Sequence, residues 1–188
     1  MKNITALTLT FSTFLLLLTL TPGLAFTQSF KTENGHAEFL SKVPFHSFTG
    51  ETDKLIGKID LDKNTVDFYV DWLTVKTDND KRDKDMYETV EAEKYPFIEF
   101  FGQVTSDFDP DKNKSQKVTV KGELKVHGVA RQVEITGTLT PTDEGLKLTA
   151  SWILRLKDYD IEPPGFLFYK VDNKQDVKVE ALLKSIDD

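Results

Sequence analysis

No cysteine occurs anywhere in the chain, and only three histidines do. The first absence excludes disulfides, thiol redox chemistry and a lipidated cysteine. A domain without those staples must rest on an apolar core. The second leaves little for a metal, because His36, His46 and His127 are not spaced as a ligand pair, so no metal is expected. Basic residues are also short, 24 against 31 acidic. That balance disfavours nucleic acid and anionic membrane surfaces as partners. No Gly-x-Ser-x-Gly, phosphate loop or dinucleotide fingerprint is present. No stretch beyond the N-terminal run is apolar enough to span a bilayer, so stable membrane insertion is not expected.

What is present begins at the N-terminus. Lys2 precedes an apolar run from Ile4 to Leu20, followed by Pro22 and Gly23-Leu24-Ala25. A small-x-small triplet after such a run is a secretory cleavage signature. Residues 1–25 are therefore expected to be a cleaved signal peptide and 26–188 a single mature domain. Lys2 is the only charged residue of the leader, so the mature chain carries 23 basic and 31 acidic residues, net −8. N-terminal analysis of protein from its native envelope should find Phe26 first. A chain still beginning at Met1 in the membrane would mean the run is an anchor.

One segment carries helix signals. Asp78, Asn79 and Asp80 can cap an N-terminus, and Asp83 falls in the first turn, where the helix dipole favours a carboxylate. Met86 and Val90, four apart, share a face. Pro96 excludes helix beyond Tyr95. A short helix near 80–92 follows.

Almost everything else alternates with the period of a strand. Val66, Phe68, Val70 and Trp72 alternate with polar neighbours or Tyr69, as do Ile98, Phe100, Gly102 and Val104 with theirs. Val118 to Val126, Val133 to Leu139, Leu146 to Leu154 and Val177 to Leu183 repeat the pattern. Earlier segments, 27–35, 37–43, 46–52 and 55–61, read as a weak arm and three strands. Residues 166–171 read as extended. Turns fall at 62–64, 127–130, 141–145 and 172–174. About eight to ten one-sided strands joined by short turns pair antiparallel and form a sandwich or a barrel.

Chemistry-bearing groups are few. Asp107, Asp109, Asp111, Asn113 and Ser115 alternate as in a calcium loop, but Lys112 stands where that loop needs glycine and Val118 where it needs glutamate. His127 before Gly128 fits a turn whose ring bonds backbone. The Lys81-Arg82-Asp83-Lys84-Asp85 cluster fits a solvated helix face, with Arg82 able to fold back onto strand-end carbonyls. The interior is rich in rings: fourteen phenylalanines, only Phe11 and Phe14 in the leader, and two tryptophans. An ordinary core or a chamber for one small ligand both fit that composition.

Two blocks carry a resemblance. Thr77-Asp78-Asn79, Arg82-Asp83 and Lys94-Tyr95-Pro96-Phe97-Ile98-Glu99-Phe100 form the first, and the segment from Gly122 to Val133 the second. Asp158-Tyr159-Asp160-Ile161 with Pro163-Pro164 adds a third. In this order, behind a signal peptide, they resemble the YceI-like family of secreted lipid-binding proteins. The resemblance implies an all-β, antiparallel, lipocalin-like barrel of about eight strands in the periplasm. It also implies a bound polyisoprenoid or fatty chain, with no catalysis and no other cofactor. Asp85 departs from the family, standing where many relatives carry histidine, and the helix segment is slightly shorter.

The expected function is thus a periplasmic or secreted lipid carrier. Its inward stripes, at Phe68, Val70, Trp72, Ile98, Phe100, Leu124, Ile135, Leu148, Ala150 and Trp152, would contact the chain. The small residues Gly57, Gly102, Gly122, Gly137 and Ala150 are expected to leave room there. A homodimer is compatible with this reading. One rival is a structural or partner-binding module that uses an edge strand and has no internal ligand. The other is an enzyme using His127 with nearby acids. A stoichiometric bound lipid separates the carrier from both.

Overall fold

The computed structural model describes residues 28–43, 45–163, 165–166 and 169–186. The expected signal peptide, Phe26 and the Pro44 and Pro164 positions lie outside the described residues. Eight strands form the barrel. They are β1 (Ser29–Val43), β2 (His46–Asp60), β3 (Thr65–Asp71), β4 (Phe97–Val104), β5 (Gln116–Val126), β6 (Val129–Thr142), β7 (Gly145–Arg155) and β10 (Lys174–Ser185). Helix α1 (Asp80–Thr89) lies between β3 and β4. Two short strands, β8 (Gly165–Phe166) and β9 (Tyr169–Lys170), pair only with each other. Parts of the expected extended segment 166–171 lie outside the described residues.

Every barrel strand pairs antiparallel with its neighbours in the order β1-β10-β7-β6-β5-β4-β3-β2, and β2 returns to β1. The sheet therefore closes. The alternation seen in the sequence orients each strand, with one face inward and one in water.

The arm and strand expected over 27–43 are one strand, β1, and the two expected over 46–61 are one strand, β2. The register shifts between Thr32 and Gly35 and again before Ala37. This bulge places Gly35 opposite Leu55 but Ala37 opposite Thr52. On β2 the inward set passes from even positions, ending at Thr52, to odd ones, beginning at Leu55. One bulge thus breaks the two-residue period in both strands without breaking the strands.

The turn at β5–β6 is tighter than expected. His127 (φ 54°) and Gly128 (φ 74°) are its two central residues, and Val126 pairs with Val129. Two consecutive positive φ values define the hairpin turn that matches strand twist.

Helix α1 begins where its caps predict. Asn79 Oδ1 accepts from the Arg82 N–H at 2.9 Å. It ends earlier than Pro96 demands, at Thr89, because Glu91 takes a left-handed φ of 47° and the Ala92 N–H bonds to Tyr87 O.

The core lies at two levels. At the end of the barrel away from α1, Ile59, Leu139, Leu146 and Leu183 are fully buried and close the floor. Phe30, Leu61 and Phe108 pack around the same core. At the α1 end, Val90, Ala92, Tyr159 and Ile161 are buried beneath the helix tail and the turn at Leu156–Tyr159. No helix among the described residues is long and apolar enough to cross a membrane.

Candidate functional site

Between floor and helix lies a cavity of about 700 Å³. Its wall is overwhelmingly apolar, and all eight barrel strands contribute to it. Its mouth lies between α1, the β1–β2 hairpin and the segment around Gly165 and Val171. All ten expected inward residues, Phe68, Val70, Trp72, Ile98, Phe100, Leu124, Ile135, Leu148, Ala150 and Trp152, line this cavity. Trp72 does so from a 3-10 turn just past β3 rather than from the strand itself.

The glycines behave differently from expectation. At Gly57 the room is already filled, because the Phe68 ring lies over it and a Cβ there would collide with the ring. Gly102 and Gly122 face each other across β4–β5, where a Cβ on either would meet the opposite backbone. At Gly137 a Cβ would sit 2.9 Å from Thr149 O. Gly57, Gly102 and Gly122 let backbones and rings approach closely and are not part of the chamber wall, whereas Gly137 does line the chamber. Ala150 remains a small residue on an open part of the wall.

Sequence reasoning missed much of the wall. Ala37, Phe39, Ser41 and Val43 of β1, Phe48 and Thr52 of β2, and Gln175 and Val177 of β10 also line the chamber. So do Arg82, Asp85, Met86 and Thr89 of α1. The apolar members of β1 do alternate, but Ser41 interrupts the stripe, and the bulge changes its phase.

The polar groups at the mouth are held from α1. Asp83 is buried and accepts from the Thr77 N–H at 2.8 Å and from the Thr77 hydroxyl at 2.6 Å. Tyr87 donates its hydroxyl proton to Val75 O at 2.7 Å and accepts from Lys76 Nζ. Lys76 in turn exchanges both backbone hydrogen bonds with Glu51 of β2. These contacts tie helix, linker and barrel together. Arg82 does not fold onto strand-end carbonyls. Its guanidinium lies 4.5 Å from the centre of the Phe48 ring.

His127 is a turn residue and does not line the cavity. Nδ1 faces Tyr159 O at 3.1 Å, Nε2 faces Glu91 Oε2 at 2.7 Å, and Tyr95 packs edge-on against the ring. The ring clamps the β5–β6 turn to the tail of α1 and the Leu156–Tyr159 turn. Burial raises the Tyr159 hydroxyl pKa.

In the acidic loop at 107–115, Lys112 Nζ pairs with Asp109 Oδ2 at 2.8 Å. That pairing lowers the Asp109 pKa. One of the loop's three carboxylates is thus engaged within the loop. A different grouping arises across β1 and β2: His36, Glu38 and Glu51 bring one ligand atom each within 4.8 Å on the outer wall. Strand pairing makes this grouping, so sequence spacing could not reveal it. Its imidazole is engaged, with Nδ1 2.7 Å from Asp53 Oδ1. A chelator is expected to leave the melting temperature unchanged. A drop restored by a divalent cation would mean that one of these two groups holds an ion.

The Asp53 hydrogen bond, foremost, raises the His36 pKa. The sign follows: this pair's stabilisation is full below the unfolded pKa near 6.5 and fades as pH rises through the higher folded value. Because Asp53 is exposed, the effect should stay below about 1 kcal/mol. His36→Ala should abolish that slope in melts taken across this range.

A closed antiparallel barrel of eight strands around an apolar chamber, with one short helix at its mouth, is a lipocalin-like barrel. The sequence matches the YceI-like domain over residues 29–184, and the chain belongs to that family. No curated protein matches the sequence. Among solved structures, it is similar to a polyisoprenoid binding domain from Saccharophagus degradans implicated in plant cell wall breakdown. The TM-score is 0.71 at 15% identity, over 85% of this chain and 99% of that one. Burkholderia cenocepacia BcnA gives 0.65 at 15% identity, over 80% and 96%. The Campylobacter jejuni YCEI protein gives 0.55 at 15% identity, over 78% and 85%.

Proposed function

We propose that this protein is a carrier that holds a long apolar lipid, a polyisoprenoid or fatty-chain amphiphile, inside the barrel, without catalysis. It would act after export, in the periplasm or as a secreted protein. The observation that carries the reading is the chamber of about 700 Å³, apolar on nearly every wall. Its size lies within the range of pockets that enclose small molecules, about 300–1,000 Å³. The Saccharophagus degradans domain, described as polyisoprenoid binding, shares the fold.

Magnitudes favour a long ligand. Each methylene taken from water contributes about 0.8 kcal/mol. Association costs at least about 4 kcal/mol before any surplus appears. A chain of a few carbons would not stay bound, whereas a dozen or more would. The edge-strand module fits poorly, because each of the eight barrel strands is paired on both sides. A closed barrel offers no edge to a partner strand. The enzyme built on His127 fits poorly too, because both ring nitrogens are engaged and the ring lies off the chamber.

Organic extraction of natively purified protein, followed by mass spectrometry, tests the proposal. A lipid recovered at about one per chain is the expected result. A reproducibly empty protein that also fails to take up added lipid would overturn it.

A further inference from the structure

The ring of strands is not zipped equally along its height. Near the floor every neighbouring pair has a ladder. Toward the α1 end, the ladder between β6 and β7 stops at Gly137 and Ala150, two small residues. Both strands run on from there. Residues 129–136 of β6 stay paired with 119–126 of β5, and residues 151–155 of β7 with 174–178 of β10. Toward each other these two segments form no rung, and no backbone hydrogen bond crosses between them among the described residues. A slot therefore runs down the wall from the rim to the Gly137–Ala150 rung. Ile135 on one side, and Trp152 and Leu154 on the other, line the chamber along it.

A second break, between β2 and β3, is strapped. β3 ends at Asp71, and the linker beyond it returns to β2, where Lys76 and Glu51 exchange both backbone hydrogen bonds. Thr74 Oγ1 also lies 2.9 Å from Thr52 Oγ1. Among the described residues no such strap crosses the β6–β7 slot. The Leu156–Tyr159 turn caps it from the β7 side, because the Leu156 and Lys157 N–H groups both donate to Asn173, just before β10. Two side chains of the β5–β6 hairpin reach over to that turn. Arg131 Nε donates to Asp158 O at 2.7 Å, and His127 Nδ1 lies 3.1 Å from Tyr159 O. Packing of Tyr159 and Ile161, both buried, completes the closure.

Segments held by side-chain contacts alone open at lower free energy than segments held by a ladder. An unladdered stretch is also a liability that sheets ordinarily remove or cover. Here two of them face each other across the wall of a chamber. Resting on the carrier reading above, we propose that the β6–β7 slot is a lateral portal, latched by Arg131, through which the lipid enters and leaves. The two sides part from the Gly137–Ala150 rung upward, and the Leu156–Tyr159 turn moves with β7 and β10. A long chain is then laid in sideways from the rim downward and is not threaded end-on past α1. The floor, laddered all round, stays shut.

The test staples the slot. Continuing the register, Glu134 and Ile153 stand at one height on its two sides, and neither lines the chamber. The chain has no cysteine, so a Glu134→Cys, Ile153→Cys pair can be joined by a short bis-maleimide without side reactions. A Thr138→Cys, Thr149→Cys pair, across a formed rung, is the control. The exported chain is stripped of lipid on a hydrophobic resin, and the probe is octadecanoate carrying a nitroxide at its tail. Stopped-flow quenching of Trp72 and Trp152 emission reads uptake, and its recovery with excess unlabelled octadecanoate reads release. The staple across the slot should slow both at least about tenfold and change the dissociation constant less than about twofold, the signature of a gate. The control staple, and the slot pair capped singly with N-ethylmaleimide, should exchange as wild type does. Arg131→Ala should speed uptake and release roughly threefold through loss of one partly solvated hydrogen bond. A slot-stapled protein that exchanges at the wild-type rate, or is slowed no more than the control, would overturn the portal while the carrier reading stands. Wild-type rates in Arg131→Ala would overturn the latch. Failure of the unmodified protein to bind the probe would remove the carrier reading as well.

Discussion

Ala150→Phe is expected to fold and to lose or shorten its bound lipid. Ala150 sits on β7 between Gly137 of β6 and Val179 of β10, and its side chain faces the chamber. Leu148 and Trp152 flank it on the same wall. A phenyl ring added there extends into open volume and takes the space that a lipid tail would use. In a packed core the same change would overfill the site and cost about 1–3 kcal/mol. For a domain of this size that is a fall in melting temperature of roughly 2–12 °C. Loss of ligand lowers the melting temperature by itself, so the comparison belongs between lipid-stripped proteins. Stripped mutant and stripped wild type should melt together, and mass spectrometry should find the mutant empty or carrying a shorter chain. A strongly destabilised mutant, or a stable one with its normal lipid load, would show that Ala150 does not border ligand space.

Asp83→Ala should be the most damaging change on α1. The carboxylate is buried and receives both the N–H and the hydroxyl of Thr77, itself buried. Truncation leaves that N–H without a partner and frees the linker from the helix. Two hydrogen bonds to a charged acceptor are lost at once, which should cost about 2–3 kcal/mol. The corresponding fall in melting temperature is roughly 4–12 °C. Asp83→Asn keeps an acceptor oxygen and should fall less. The damage should also be local: amides of 80–89 should exchange faster than those of β5 and β6. Arg82 and Met86, carried on the same helix, would then no longer hold the mouth, and retained lipid should leave sooner. An Asp83→Ala protein that melts with wild type would show that the helix is held by Tyr87 alone.

The barrel was legible wherever one strand kept one phase. Val66, Phe68 and Val70 of β3 and Leu148, Ala150 and Trp152 of β7 alternate without interruption, so their inward faces could be read from period alone. The cap at Asn79 was legible for a similar reason, since the whole motif is local. β1 and β2 were harder. Their shared bulge shifts the inward set by one residue, and Ser41, Thr52 and Gly50 place small or polar groups where a stripe needs apolar ones. Each long strand therefore looked like two shorter elements. The mouth was not legible at all. Arg82, Phe48, Ser41 and Gln175 come from four elements and share no local spacing, so only strand register brings them together. The glycines misled for a physical reason: an absent side chain makes room, but the sequence does not say whether a ring, another backbone or a ligand takes it. At Gly57 it is the Phe68 ring.

The way the ring of strands closes also bears on how the chain reaches this state. β1 and β10 are neighbours, with Phe30 opposite Ser185, and the Ile186 N–H donates to Ser29 O at 2.8 Å. The first and last strands thus zip together although nearly the whole described chain separates them. Every other strand pairing of the barrel joins barrel strands that follow one another in the chain, and this one does not. Its loop-closure entropy must be met before any of its hydrogen bonds or apolar contacts reward it. Folding should accordingly be slow for the domain's size, with barrel closure as the late step. A chain emerging strand by strand can build the meander from β1 to β7, but it gains an enclosed interior only after β10 has arrived.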